Sequence, residues 1–192
     1  MTTDGDVDFA DQRTWPAGLR LKLLDDERVT ERLRVLDKIC FPVVYTDKFY
    51  AALVTNGWHD FSFIALYHDA LVGGITSRIE AIEGSSKFKL YVMTLGVLPA
   101  YRHMGIGRLL LASVLKNAEK NPDIEKVTLH VQDGSAAVRF YQHFGFTAEE
   151  KVPNYYTNIE PTNDALYLVK SFAPRAKEGT AAPDGKGSSK RK

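Results

Sequence analysis

The spacing of apolar residues along the chain switches repeatedly between the two-residue period of a strand and the 3.6-residue period of a helix. Residues 19–24, LRLKLL, alternate apolar and basic side chains, as a half-buried strand does. Val29, Leu33, Leu36 and Cys40 then fall on one helical face, with Asp25 or Asp26 placed to cap the helix and Pro42 to stop it. After the aromatic segment FPVVYTDKFY, Thr46 or Asp47 can cap a short second helix that Gly57 ends. FSFIALY (61–67), ALVGGITSRIEAI (70–82) and KLYVMTLGV (89–97) read as three strands, joined by turns at His68-Asp69 and at 83–86. Together they predict an antiparallel meander.

Beyond Pro99 the period lengthens. Ile106, Leu109, Leu110, Val114, Leu115 and Ala118 form one helical stripe, broken by Asn121-Pro122-Asp123. EKVTLHVQ (125–132) is a strand, SAAVRFYQHF (135–144) a helix ended by Gly145, and two more strands follow near 146–151 and 165–171. The order is β-α-α-β-β-β-α-β-α-β-β. A helix between the third meander strand and the 125–132 strand implies a parallel crossover, so the expected fold is α/β, a mixed sheet with helices on both faces.

Composition bounds this picture. The chain has 192 residues, 44% hydrophobic and 26% charged, which fits one soluble domain of ordinary size. A net charge of +1 argues against a whole-chain grip on nucleic acid or an anionic membrane. A single cysteine, Cys40, excludes a disulfide framework or a Cys-rich zinc site and fits a reducing compartment. No metal is expected, no run reaches the ~18 apolar residues of a membrane span, and the N-terminus lacks a secretory core. The ends differ from the middle: residues 1–18 carry a balance of −3, residues 173–192 one of +4, and residues 19–172 are neutral. Both ends read as disordered tails, acidic and basic, around a domain at 19–172. Lys190-Arg191-Lys192 reads first as a solvated basic tail, with nuclear import or ribosome contact as the alternative.

The most informative segment is Arg102-His103-Met104-Gly105-Ile106-Gly107, between a strand and a helix. Two glycines one residue apart permit a tight turn and close approach to a ligand. The first free amides of the helix, with its dipole behind them, suit an anion such as a pyrophosphate. No Gly-Lys-Ser/Thr follows, so it is not a Walker loop, and the third glycine of a dinucleotide fingerprint is absent. The bland alternative is a plain glycine-rich turn.

With the strand LYVMTLGV before it and the helix end FYQHFGF some 35 residues after, this hexad resembles the acetyl-CoA loop of the GNAT acetyltransferase superfamily, Gln/Arg-x-x-Gly-x-Gly/Ala. Further blocks occur together and in order: FPVVY (41–45), DKFY (47–50), LYVMTLG (90–96), LHVQ (129–132), and NYY (154–156) with IEP (159–161). This set is similar to the catalytic subunit of NatE N-terminal acetyltransferases, the San type, over about residues 20–170. The resemblance implies Tyr91 and His130 as the two general-base residues. It implies Phe41, Pro42, Val43, Tyr45, Met93, Tyr155, Tyr156 and Ile159 as peptide contacts. It implies Leu95, Gly96, Val97, Arg102, His103, Met104, Gly105, Ile106, Gly107 and Arg108 as acetyl-CoA contacts, with Tyr141 beside the cofactor sulfur. It also implies association with the NatA catalytic and auxiliary subunits near the ribosome, in the cytoplasm and, as a further expectation, the nucleus.

Residue chemistry fits these roles. Side chains alternate along a strand, so Tyr91, Met93 and Leu95 are expected on one face, and Thr128, His130 and Gln132 on one face of the next. If those strands are adjacent and parallel, Tyr91 and His130 reach one cavity. A peptide α-amine, with an ordinary pKa of ~7.7–8.0, needs only one proton removed, and a histidine suits that directly or through water. Tyr91 is better placed to hold that water than to act as base. A backbone amide near Leu95–Val97 can stabilise the oxyanion, and Tyr141 can protonate the departing thiolate. Phe41, Pro42 and Val43 offer an apolar pocket for methionine. Tyr155 and Tyr156 are adjacent, so both cannot face one side of a strand; at least one belongs to a loop or the surface. Alone, His130 reads first as a satisfied core histidine and Tyr91 likewise as a core residue, and only the family register turns both to catalysis; for the aromatic clusters core packing is the alternative to the favoured binding role. Cys40, on an apolar stripe, reads as core packing. The family's asparagine after the His-bearing strand is missing here: the loop Gln132-Asp133-Gly134-Ser135-Ala136 is one residue shorter, with Gly134 near that position and Asp133 or Ser135 as possible substitutes. Two further readings stay open: a weak or inactive subunit that stabilises the NatA complex, and an acetyltransferase for lysine or small amines.

Overall fold

The structure is a computed structural model and describes residues 15–56 and 59–173. The elements are β1 (Leu19–Leu23), α1 (Glu27–Cys40), α2 (Asp47–Thr55), β2 (Phe63–Tyr67), β3 (Ala70–Ala81), β4 (Phe88–Val97), α3 (Ile106–Lys120), β5 (Ile124–Gln132), α4 (Ala136–His143), β6 (Thr147–Val152) and β7 (Ala165–Ser171). This is the element order expected. Asp26 caps α1, accepting from the Arg28 amide at 2.9 Å, and Thr46 caps α2 through the Phe49 amide. α2 ends at Thr55 with Asn56 as its cap, while Gly57, its expected terminator, lies outside the described residues. The tails at 1–14 and 174–192 also lie outside them. Residues 15–18, assigned to the acidic tail by composition, join the domain: Trp15 packs on the core and the Gly18 carbonyl accepts from the His68 amide.

One seven-stranded sheet runs β1-β2-β3-β4-β5-β7-β6. All pairings are antiparallel except β4 with β5, which the α3 crossover makes parallel. α1 and α2 cover one face with a smaller core around Leu33, Leu36 and Leu53; α3 and α4 cover the other with a larger core around Phe63, Ile75, Leu110 and Leu129. Along α3 the buried stripe includes Leu111, fully covered, where Leu109 was expected; Leu109 is only partly buried.

Two features of the central strands position the site. The β4–β5 ladder covers only Phe88 to Tyr91 on β4, ending at the pair Tyr91–Thr128, although both strands continue. Past that point they part, leaving the β5-facing backbone edge of residues 92–97 without a strand partner. The second feature is a bulge. On β3 Thr76 and Ser77 are consecutive, yet they pair with Thr94 and Val92, so Met93 is the extra residue. A bulge bends a strand and reverses its alternation. Tyr91 pairs with Arg78, and Met93 belongs with the core under α1 and α2. Leu95 and Val97 instead belong with the core under α3. The expectation that Leu95 shares a face with Tyr91 and Met93 is therefore corrected: the bulge turns it to the opposite side.

Candidate active site

Two cavities flank the parted strands. The larger, about 1060 Å³, is lined by Phe41, Pro42, Val43, Tyr45, Tyr91, Met93, Leu95, His130, Tyr141, Tyr155, Tyr156 and Ile159 of the expected residues. It also takes in Cys40, Val44, Phe49, Arg78, Ala137 and Thr157, which sequence reasoning did not place there, and Ser135, one of the two residues offered as substitutes for the family's asparagine. Its first wall is the connection after α1. Tyr45 stacks on Phe49 at 4.6 Å and meets Phe41 edge-on at 6.2 Å. Behind them the Tyr50 hydroxyl donates to Asp37 Oδ2 at 3.0 Å, a buried bond that ties α2 to α1. Burial pushes the Asp37 carboxyl up to about 6 and the Tyr45 phenol up to about 12. Cys40 packs at the end of α1 and also borders the cavity; burial raises its thiol above the ordinary range.

The opposite wall is the loop between β6 and β7. It is not a strand, which is how both Tyr155 and Tyr156 reach the cavity. The loop is held by its own bonds. The Tyr156 amide donates to Asn163 O at 2.8 Å, the Ile159 amide to Asn163 Oδ1 at 3.0 Å, and Gln132 Nε2 to the carbonyls of Glu160 and Thr162, both at 2.8 Å.

Tyr91 and His130 meet between the walls. The Tyr91 hydroxyl lies 2.9 Å from His130 Nδ1 and 3.2 Å from the Tyr155 hydroxyl. The Tyr155 ring stacks on the imidazole, centroids 4.2 Å apart and planes 10° apart. Arg78 lies over the Tyr91 ring at 4.7 Å and is held by Glu80, which also takes Lys89. Burial lowers the His130 pKa; Glu150 pulls it back, and Lys89 lowers it further. Burial, then the Tyr155 hydroxyl, raises the Tyr91 pKa, so Tyr91 keeps its proton. A neutral imidazole hydrogen-bonded to a neutral phenol is thus the resting state at neutral pH, with one basic nitrogen in either tautomer. Tyr141, 8% exposed, reaches the same cavity from α4, and burial keeps its phenol protonated.

The smaller cavity, about 460 Å³, is lined by Val97, Arg102, His103, Gly105, Ile106, Gly107 and Arg108, with Tyr101, Phe140, His143 and Phe144. His143, given no role from sequence, is among them. Gly105 caps α3 at φ +81°, and His103 has φ +64°. The first helical bond runs from the Leu109 amide to the Gly105 carbonyl at 3.0 Å, so the amides of the first turn lack intrahelical acceptors. A Cβ on Gly105 would meet nothing within 4 Å, which shows open space above the turn. Arg102 Nε donates to Val97 O at 3.0 Å, tying the loop to the end of β4. Gly96 and Met104 line neither cavity. A Cβ on Gly96 would stand 3.2 Å from Leu36, Cys40 and Phe41, so that glycine admits α1; Met104 packs into the larger core.

Residues 30–146 match the acetyltransferase (GNAT) family model. The chain belongs to the GNAT acetyltransferase family. It is 39% identical to a zebrafish protein, N-alpha-acetyltransferase 50 (Danio rerio), over 143 residues, 74% of this chain and 82% of that one. It is 37% identical to the probable N-acetyltransferase san of Drosophila melanogaster over 143 residues, 74% of this chain and 75% of that one. Among solved structures it is similar to Arabidopsis thaliana Naa50 in complex with the bisubstrate analogue CoA-Ac-MVNAL, with a TM-score of 0.72 and 39% identity, covering 81% of this chain and all of that one. The site of this GNAT chain fits acetyl-CoA: an open glycine turn with unpaired helix amides, parted strands, and a buried Ser135 Oγ that lacks a partner.

Proposed function

We propose that this GNAT protein is an N-terminal acetyltransferase that moves acetyl from acetyl-CoA to the α-amine of peptides beginning with methionine followed by a hydrophobic residue. The observation that carries this reading is the hydrogen-bonded Tyr91–His130 pair at the parting of β4 and β5, enclosed between two aromatic walls. The similarity to a structure whose analogue joins CoA to a peptide starting Met-Val supports it.

Acetyl-CoA supplies the activated acetyl group. The loop 102–108 and the first turn of α3 would hold its phosphates through backbone amides, with Arg108 and His143 beside them. Phe41, Pro42, Val43 and Met93 would take the methionine side chain, while Tyr45 and Tyr156 offer hydroxyls to the peptide backbone. His130 takes one proton from the α-amine, directly or through a water that Tyr91 holds. The open edge of β4 supplies the oxyanion amide near Leu95–Val97, and Tyr141 gives a proton to the departing sulfur. Direct attack in a ternary complex needs no covalent enzyme intermediate, and Cys40 has no part in it. The two aromatic walls would crowd a lysine presented from mid-chain.

Association with the NatA subunits at nascent chains, in the cytoplasm, belongs to the same proposal; a single cysteine is compatible with that compartment. The test is mass spectrometry of a peptide panel after incubation with acetyl-CoA. A Met-Leu or Met-Val peptide should gain one acetyl group at its free α-amine, and the same peptide with a blocked terminus and an internal lysine should gain none. Equal acetylation of both would replace this reading with a lysine acetyltransferase; no turnover would replace it with a binding subunit.

A further inference from the structure

Three phenol rings surround the His130 imidazole, and one of them, Tyr167, has no place in either cavity. Tyr91 meets Nδ1 from β4, and Tyr155 stacks on the ring from the β6–β7 loop. Tyr167 comes from the other side. β5 lies between β4 and β7 in the sheet, and His130 pairs directly with Tyr167 on β7, so the two side chains leave the same face side by side. Their ring centroids stand 5.0 Å apart with planes at 45°. Tyr167 is half-buried, and contact with peptide or cofactor is not its task.

Tyr167 is itself held from outside. Lys89, on β4, reaches across β5 and sets its Nζ 5.8 Å over the Tyr167 ring. Glu80, which pairs with Lys89 across β3 and β4, takes that ammonium at 3.2 Å through Oε2. The two side chains are 27% and 26% exposed, so water screens this pair less than an open surface bridge. Glu80 Oε1 takes Arg78 at 2.6 Å, the guanidinium that lies over Tyr91. One carboxylate thus fixes two cations, each on an aromatic ring, and those rings flank His130 on its two sides in the sheet. The imidazole needs such support. Histidine χ2 is a broad torsion, so packing decides where the ring edge points. Tyr155 guards one face but is carried on a loop and is 43% exposed. Tyr167 stands on a strand paired on both sides, with β5 and β6.

We infer that Tyr167 is a positioning residue for His130: its ring, pinned by the Lys89–Glu80 pair, fixes the imidazole in register with the Tyr91 hydroxyl and keeps water from that side of the ring. This rests on the N-terminal acetyltransferase reading, in which His130 takes the proton of the α-amine. A base must stand within hydrogen-bond reach of its proton, and a displacement of about 1 Å is enough to cost a large part of the rate.

The test is steady-state kinetics with a Met-Leu peptide, across pH, for the full chain and for Tyr167→Leu and Tyr167→Phe, each alone and combined with His130→Ala. Tyr167→Leu should lower kcat about tenfold and leave the peptide KM and the calorimetric CoA affinity within about twofold. Tyr167→Phe keeps the ring and should restore kcat to within about twofold of the parent. In the His130→Ala background Tyr167→Leu should cost nothing further, because it acts through the imidazole. The pH profile gives a second readout. Burial lowers the His130 pKa, Glu150 on β6 raises it, Lys89 on β4 lowers it and Glu80 on β3 raises it; the other titratable neighbours are the phenols of Tyr91, Tyr155 and Tyr167. Tyr167→Leu admits water to the imidazole, so the acid limb of kcat should move upward, and Lys89→Gln, which frees the ring and removes a cation, should move it the same way. An unchanged kcat in Tyr167→Leu overturns the inference, and so does an equal loss in both backgrounds, which would mark a general defect of the sheet. If Tyr167→Leu does not fold, an unmoved acid limb in Lys89→Gln overturns it. A parent that acetylates no peptide would instead remove the N-terminal acetyltransferase reading, and the inference with it.

Discussion

The two cavities are built from different materials. The anion-binding part of the smaller is backbone: a left-handed glycine, a left-handed histidine and the unpaired amides of one helix turn, all within residues 102–108, with Phe140, His143 and Phe144 at the end of α4 beside them. The larger is made of side chains from separate segments: the end of α1, β4, β5, α4 and the β6–β7 loop. Backbone can hold an anion whatever side chains surround it, whereas the larger cavity owes its chemistry to particular rings and hydroxyls. A side-chain deletion should therefore act locally and by degrees in the larger cavity. In the smaller one a change of backbone preference should disturb the whole site.

The sharpest test of the larger cavity is His130→Ala. Removing the one neutral imidazole at the parting strands should lower kcat by about 10²–10³-fold, with CoA affinity measured by calorimetry left within twofold. A fall in CoA binding of the same size would mean that the two cavities are not separable. The pH profile carries the same information. The folded-state pKa of His130 lies below its ordinary value because burial disfavours the imidazolium. The base is therefore neutral above that pKa and lost as pH falls through it. The acid limb of kcat should break below pH ~6.5 and vanish in His130→Ala. A limb centred above 7 would assign the base elsewhere.

In the smaller cavity the informative pair is Gly105→Ala and Gly107→Ala. A Cβ on Gly105 meets open space, so its only penalty is the backbone at φ +81°. Strain of that kind is worth about 1–2 kcal/mol. Gly105→Ala should lower the unfolding free energy by that amount and weaken CoA about tenfold. Gly107 lies inside the helix, where an added Cβ makes an ordinary 3.8 Å contact with Val97. Gly107→Ala should leave stability within about 0.5 kcal/mol, so any loss of CoA affinity comes from crowding the ligand. Equal destabilisation by both would show that packing, not conformation, selects glycine at 105.

This contrast also explains what could be read in advance. The Gly105 turn was legible because its cause is local: a glycine pair between a strand pattern and a helix pattern. The element order was legible for the same reason. The bulge at Met93 was not, because it is set by pairing with Thr76 and Ser77 on another strand, and nothing in YVMTLGV breaks its own alternation. That misplaced Leu95. Arg78, Phe49 and Thr157 were missed because distant pairing brings them to the cavity. A signal did exist for Arg78, the lone cation of β3. His143 has no role legible in the sequence and is exposed; only the turn of α4 beside the 102–108 loop gives it a cavity to line. His130 and Tyr91 were found through the family resemblance, since spacing alone favours a core role for each.

The smallest expected effect falls on Tyr155, which is 43% exposed and touches both halves of the pair through two different contacts. Its hydroxyl stands 3.2 Å from the Tyr91 hydroxyl, and its ring lies flat against His130. Tyr155→Phe keeps the ring and removes the hydroxyl. Tyr91 then retains His130 as its partner, so kcat should fall only about two- to fivefold, the worth of one partly exposed hydrogen bond. The Tyr155 hydroxyl is also one of the groups that raise the Tyr91 pKa, so its removal should lower that pKa without bringing it near neutrality; burial, the larger cause, remains. Tyr155→Ala removes the ring as well, opens the imidazole to water and weakens the desolvation that depresses its pKa. The acid limb of kcat should therefore move upward in Tyr155→Ala and stay in place in Tyr155→Phe. Equal shifts in both would assign the depression of the His130 pKa to the hydroxyl network, and the stacked ring would then be only a wall for the peptide.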